Sequence, residues 1–116
     1  MGQSKEELET PVLLVNLDTF EANMAELVQF CRTYKTDWRP HSKSHKSPEI
    51  ARLQLEAGAI GITCAKLSEA ELMVAHGIGP ILIANQIVTP SKLNRLAALQ
   101  RHQEVIAAVD DPGVVS

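Results

Sequence analysis

Aromatic residues are nearly missing from this 116-residue chain: one Trp, one Tyr and two Phe make up 3 % of it. The core that its 45 % apolar residues can build is therefore aliphatic, of Leu, Ile, Val and Ala. Excess positive charge is missing too. The formal net charge is −3, which argues against a nucleic-acid or membrane-surface binder. No apolar run approaches the roughly 20 residues of a membrane span. The opening MGQSKEELET lacks the apolar core of a secretory signal. It also puts Glu6 where a myristoylation site wants Ser or Thr. Cysteine is scarce: Cys31 and Cys64 fall inside predicted regular structure, which suggests reduced thiols of a cytoplasmic protein rather than a disulfide framework. There is no low-complexity segment, internal repeat or linker. The expected organisation is a polar lead over 1–9 and a single domain over 10–116.

What is present is an alternation. PVLLVNL, entered by Pro11, is too continuously apolar for a half-exposed strand and reads as a buried parallel one. DTFEANMAELVQFCRTY follows as a helix. Asp18 and Glu21 form its capping-box signal, and Phe20, Met24, Leu27, Phe30 and Cys31 recur at helical spacing. DWRPHSKS is a second, unusually polar strand. Ser47 then caps a helix with Pro48 at its first position and Gly58 at its end. AIGITCA is a third strand. Ser68, Glu71 and Gly77 bound the next helix. PILIAN, a helix opened by Thr89 and Pro90, EVIAAV and a DDPG turn complete the series. The strands start near 12, 38, 60, 81 and 104. The fold class is α/β, with alternating β/α units and parallel strands. Two architectures fit: an open doubly wound sheet, or the leading part of a (β/α)8 barrel. A last buried strand without a covering helix favours the barrel.

Basic and titratable groups crowd into His41–Lys46 of WRPHSKSHKSPEI. Active sites of parallel α/β folds gather at the C-terminal strand ends, and this stretch lies at one. Strand alternation puts Arg39, His41 and Lys43 on one face. If that face is buried, desolvation depresses the lysine pKa and makes it a nucleophile suited to a Schiff base. Three other readings compete. One is a solvated basic loop. Another is phosphate binding at the Ser47 helix N-terminus, weak without a Gly-rich loop. The third is a metal held by His41 and His45, which a continuing strand would place roughly 13 Å apart, too far to share one ion. Lys66 follows the third strand and Asn85–Gln86 the fourth, at the same rim; a surface lysine and ordinary loop residues are the alternatives. His76 and His102 lie near helix C-termini, where they complement the dipole. Cys64 reads as a small buried apolar group.

TPVLLVNLDTFEANM, RPHSKSHKS, GITCAKLSEAE, ILIANQIV and DDP, in this order and spacing, resemble the N-terminal barrel of the D-threonine aldolase and D-serine dehydratase-like family. That family groups with alanine racemase in fold type III of the pyridoxal-phosphate enzymes. The Pro-His-x-Lys-x-His-Lys pattern is its most specific part. The resemblance implies that residues 10–116 are about five strands of an alanine racemase-like (β/α)8 barrel, truncated. It implies that Lys43 is the catalytic lysine joined to pyridoxal phosphate, with His41, Arg39, His45 and Gln86 placed to bind the cofactor. The implied activity is that of a lyase on β-hydroxy-D-amino acids, foremost retro-aldol cleavage of D-threonine to glycine and an aldehyde. D-serine dehydration and non-catalytic pyridoxal-phosphate binding are the alternatives. The resemblance further implies a divalent metal whose ligands are not in this chain, a homodimer when complete, and no nucleic-acid or membrane partner.

Overall fold

A computed structural model describes residues 2–114. Met1 of the polar lead and positions 115–116 of the expected domain lie outside the described residues. A 3-10 turn at Lys5–Glu7 precedes α1 (Leu17–Tyr34), α2 (Pro48–Glu56), β1 (Ile62–Cys64), α3 (Leu67–Ala75), β2 (Ile81–Gln86), α4 (Pro90–Leu99), β3 (Val105–Ala108) and a 3-10 turn at Pro112–Val114. The strands form one parallel sheet in the order β1-β2-β3. The α/β alternation is as expected from the hydrophobic periods. Among the described residues the strands number three, fewer than expected.

The second predicted strand is reduced to a single bridge between His41 and Thr63. Three backbone bonds tie it to β1 and its approach: Ile60 N–H to Trp38 O, Thr63 N–H to Pro40 O, and Ser42 N–H to Thr63 O. Pro40 has no N–H, so the rung it would add between them is missing. The first predicted strand is not formed at all. Residues 11–16 have no regular structure, and Leu13 is 96 % exposed. A buried parallel strand needs ladder partners and cover on both faces. The described residues supply neither there.

Register sorts the side chains onto two faces. Ile62, Ile81 and Val105 align across the sheet, as do Cys64, Ile83 and Ala107. These point toward the helices and form the aliphatic core with Ala51, Leu67, Ala70 and Met73. On the other face Thr63, Leu82 and Ile106 align, with His41 beside Thr63. That face is open, with Ile106 45 % exposed. The radius of gyration, 16.8 Å, exceeds the about 13 Å of a compact domain of this length, which agrees with an arc rather than a closed globule.

Two helix starts differ in detail from the capping patterns in the sequence. In α1 the N-cap is Asn16, whose Oδ1 accepts the Thr19 N–H at 2.9 Å; Asp18 lies inside the first turn. In α3 Lys66 takes the N-cap position in place of Ser68. Glu69 rather than Glu71 reaches back, accepting the Ala65 N–H at 2.9 Å. The apolar face expected on α1 is only partly used: Cys31 is buried, while Leu27 and Phe30 are 41 % and 54 % exposed. Phe30 rests instead on Tyr34, with ring centroids 4.6 Å apart.

The start of α2 is as the sequence predicts. Ser47 Oγ accepts the Ile50 N–H at 3.2 Å, and Pro48 occupies the first turn. Gly58 and Gly77, after α2 and α3, hold φ of 110° and 71°, which L side chains adopt only under strain. Ser47→Ala should lower unfolding stability of the full-length protein by about 1 kcal/mol. Chemical denaturation would show it as a lower midpoint at unchanged slope. Among the described residues no helix is long and apolar enough to cross a membrane.

Candidate functional site

The ladder ends at His41, and residues 42–45 turn away from it. Ser42 anchors the turn. It is fully buried, its Oγ donates to Thr63 O at 3.1 Å, and its carbonyl accepts the Lys46 N–H at 2.7 Å. The expected single face of Arg39, His41 and Lys43 is therefore broken. His41 pairs with β1 at its single bridge, Arg39 precedes that bridge, and Lys43 stands on the turn at the C-terminal edge of the sheet. Lys43 is exposed, so the burial expected for its ammonium is not present. The early end of the strand also removes the extended spacing assumed between His41 and His45. Among the described residues, no three or more His, Cys, Asp or Glu side chains gather as metal ligands.

The groups around Lys43 are mostly engaged with the fold. His41 is half-buried, and its Nδ1 accepts the Lys43 N–H at 3.3 Å. His45 Nδ1 accepts the Ser47 N–H at 3.0 Å, so the neutral ring carries its proton on Nε2. That Nε2 is buried without a hydrogen-bond partner among the described residues. Lys46 Nζ lies 3.5 Å from Glu69 Oε1. Burial alone would push the Glu69 carboxyl up, but the Ala65 N–H and the Lys46 ammonium outweigh it and hold the group below the usual carboxylate range. The two lysines of the motif thus differ: Lys46 has a carboxylate partner, and the Lys43 amine has none among the described residues.

Arg39 sits at the opposite end of the sheet. Its Nη1 donates to Pro80 O at 3.3 Å, at the entrance of β2, and its guanidinium lies over Gly61, at the entrance of β1. It straps the beginnings of β1 and β2 together. Gln86 falls on the open face, aligned with Ala108. Asn85 Nδ2 donates to Ala65 O at 3.3 Å. Lys66, Ser68, Asn85, Gln86, Lys92 and Arg95 line a cavity of about 140 Å³ at this rim. The sequence reading placed Lys66 and Asn85–Gln86 there and missed Lys92 and Arg95, which α4 brings in. Arg95 is neutralised by a two-pronged contact with Glu71, Nε to Oε1 at 2.7 Å. Cys64 is fully buried beside Ser42, and burial pushes its thiol up, away from reactivity.

Burial holds the His45 imidazole below its ordinary value of 6.5. The unfolded chain then binds a proton more readily than the folded one, so stability rises with pH across this window. The contribution is complete above pH 6.5 and is lost as pH falls from 6.5 toward the lowered native value. The denaturation midpoint of the full-length protein should fall between about pH 8 and about pH 5.5, and His45→Asn should flatten that fall. An equal slope in both proteins would count against it.

Residues 15–112 match the alanine racemase N-terminal domain model, across the α1-to-β3 arc just described. The chain belongs to this family. Its length is 42 % identical, over 110 residues, to a D-threonine aldolase of Arthrobacter sp., covering 95 % of this chain and 29 % of that protein. A 3-hydroxy-D-aspartate aldolase of Paracoccus denitrificans (strain Pd 1222) is 35 % identical over 112 residues, with the same coverage of 95 % and 29 %. The crystal structure of D-threonine aldolase from Filomicrobium marinum superposes with a TM-score of 0.86 at 43 % identity, covering 89 % of this chain and 28 % of that one. The chain thus spans about 29 % of the length of the curated relatives it matches. Family membership decides between the two architectures left open by the alternation. The sheet is part of the alanine racemase-like barrel rather than a self-contained doubly wound one.

Proposed function

We propose that this chain is the lysine-bearing segment of a pyridoxal-phosphate lyase acting on β-hydroxy-D-amino acids, with D-threonine aldolase chemistry as its activity. The observation that carries the reading is the Lys43 amine. It stands exposed and, among the described residues, without an acidic partner on the turn at the C-terminal edge of the sheet, beside His41. A free amine at that edge is the group that condenses with an aldehyde, nitrogen adding to the carbonyl carbon and water leaving. Pyridoxal phosphate, when bound, supplies the electron sink for cleavage next to the amino acid Cα.

The chain's own residues do the rest. Lys43 anchors the cofactor and, once freed by substrate, moves a proton at Cα. His41 orients the backbone of Lys43 through its Nδ1. Gln86, on the open face, and His45, on the same turn, are assigned to the cofactor's surroundings. Arg39 is assigned to the sheet. The divalent metal and the groups that hold the cofactor phosphate belong, in this reading, to segments outside this chain, as does the contact that makes a homodimer. The names of the two aldolase relatives support the lyase over non-catalytic cofactor binding. Two buried free cysteines suit the reducing cytoplasm.

Borohydride reduction of the full-length protein with pyridoxal phosphate, followed by peptide mapping, tests the reading. The cofactor should be fixed on the peptide holding Lys43. Fixation on another lysine sinks the assignment.

A further inference from the structure

The turn that carries Lys43 is tied down at nearly every position: the Lys43 N–H is held by His41 Nδ1, and only its side-chain amine is left unengaged among the described residues. Ser42 is bonded to Thr63 O, Ser47 caps α2, and His45 is held by the Ser47 N–H. Lys46 closes the turn onto Ser42 O and has a left-handed φ of 52°. A side chain other than glycine keeps that conformation only where its surroundings impose it. The side chain of Lys46 is met by α3. Glu69 lies in the first turn of the helix, where the dipole favours an anion. One carboxylate oxygen accepts the Ala65 N–H at 2.9 Å, and the other faces Lys46 Nζ at 3.5 Å. The Glu69 side chain is only 11 % exposed, against 59 % for Lys46. A largely covered carboxylate with a fixed backbone donor is a rigid post for a mobile ammonium.

We propose that Glu69 is a positioning residue: through Lys46 it fixes the turn bearing Lys43 and leaves Lys43 as the one unengaged amine of the motif. The proposal rests on the reading of Lys43 as the covalent anchor. It explains why the motif holds two lysines. One reacts, and the other moors the loop. It also joins two distant blocks, SHKS and AKLSEAE, through one contact.

Glu69→Gln keeps the volume and an acceptor for Ala65 while removing the charge. Lys46→Met removes the other partner. In the full-length protein each single variant should slow attachment of pyridoxal phosphate to Lys43 by up to about fivefold, the scale of a partly exposed ion pair. The double variant should be no slower than either single one, because both remove the same contact. A neutral amine-acylating reagent, used without cofactor, should modify Lys46 faster in Glu69→Gln than in wild type, with Lys43 unchanged. A wild-type attachment rate in Glu69→Gln, or penalties that add in the double variant, overturns the proposal. Cofactor fixed away from Lys43 in the wild type overturns the anchor reading and the proposal with it. The acylation ratio still reports separately whether Glu69 holds Lys46.

Discussion

Lys43→Ala is expected to abolish borohydride-stable attachment of pyridoxal phosphate and to lower lyase turnover of the full-length protein by at least ~10³-fold. The size follows from what is removed. In the proposed reading Lys43 is both the covalent anchor and the group that moves the proton at Cα, so two functions would be lost together. The fold should survive. The side chain is exposed, makes no ion pair among the described residues, and sits on a turn held by Ser42, Lys46 and Ser47. An unchanged circular dichroism spectrum with lost attachment is the expected pair of results. Lys46→Ala is the natural control, because it removes a lysine three positions away that is engaged with Glu69. It should retain attachment at Lys43, slowed by no more than about fivefold. If Lys46→Ala abolishes attachment and Lys43→Ala does not, the roles of the two lysines are reversed.

Gly61→Ala should destabilise the full-length protein by about 2–5 kcal/mol. Two effects add. Gly61 has φ +154°, a backbone region nearly closed to L side chains. A Cβ there would also lie 2.1 Å from Arg39 Nη1 and 2.5 Å from Pro80 O. The arginine end is flexible and can swing away, at the loss of its bond to Pro80 O. The carbonyl cannot, because it accepts the Ile62 N–H at 2.8 Å as part of the β1–β2 pairing. Arg39→Ala should therefore rescue Gly61→Ala only in part. Complete rescue in thermal or chemical denaturation would show that the carbonyl contact is not limiting. The prediction also separates the two ends of the sheet. Damage at Gly61 and Arg39 acts on stability, and damage at Lys43 acts on chemistry.

Much of the local structure was legible. Ser47-Pro48 opens α2 and Thr89-Pro90 opens α4 because a β-region cap followed by a residue of fixed φ favours a helix start. The capping residues of α1 and α3 were displaced by two positions. Several Asn, Ser, Asp and Glu residues in each segment can accept a backbone N–H, and spacing does not say which one wins.

By itself the sequence determined the α/β alternation, the aliphatic core and the helix boundaries to within about a turn. These depend on contacts within a few residues, which periodicity and composition report. Only the tertiary structure decided the pairing of strands and the assignment of charges. Apolar composition marks residues 12–15 as strand-like but cannot supply the neighbour that would hydrogen-bond them. Strand alternation put Arg39 beside Lys43, but the turn at Ser42 sends the arginine to the strand entrances and the lysine to the rim. Nothing local to SHKS shows that Lys46 meets Glu69, because that contact exists only once α3 packs beside the turn. Long-range partners settle which of two like residues is free, and a linear pattern holds no record of them.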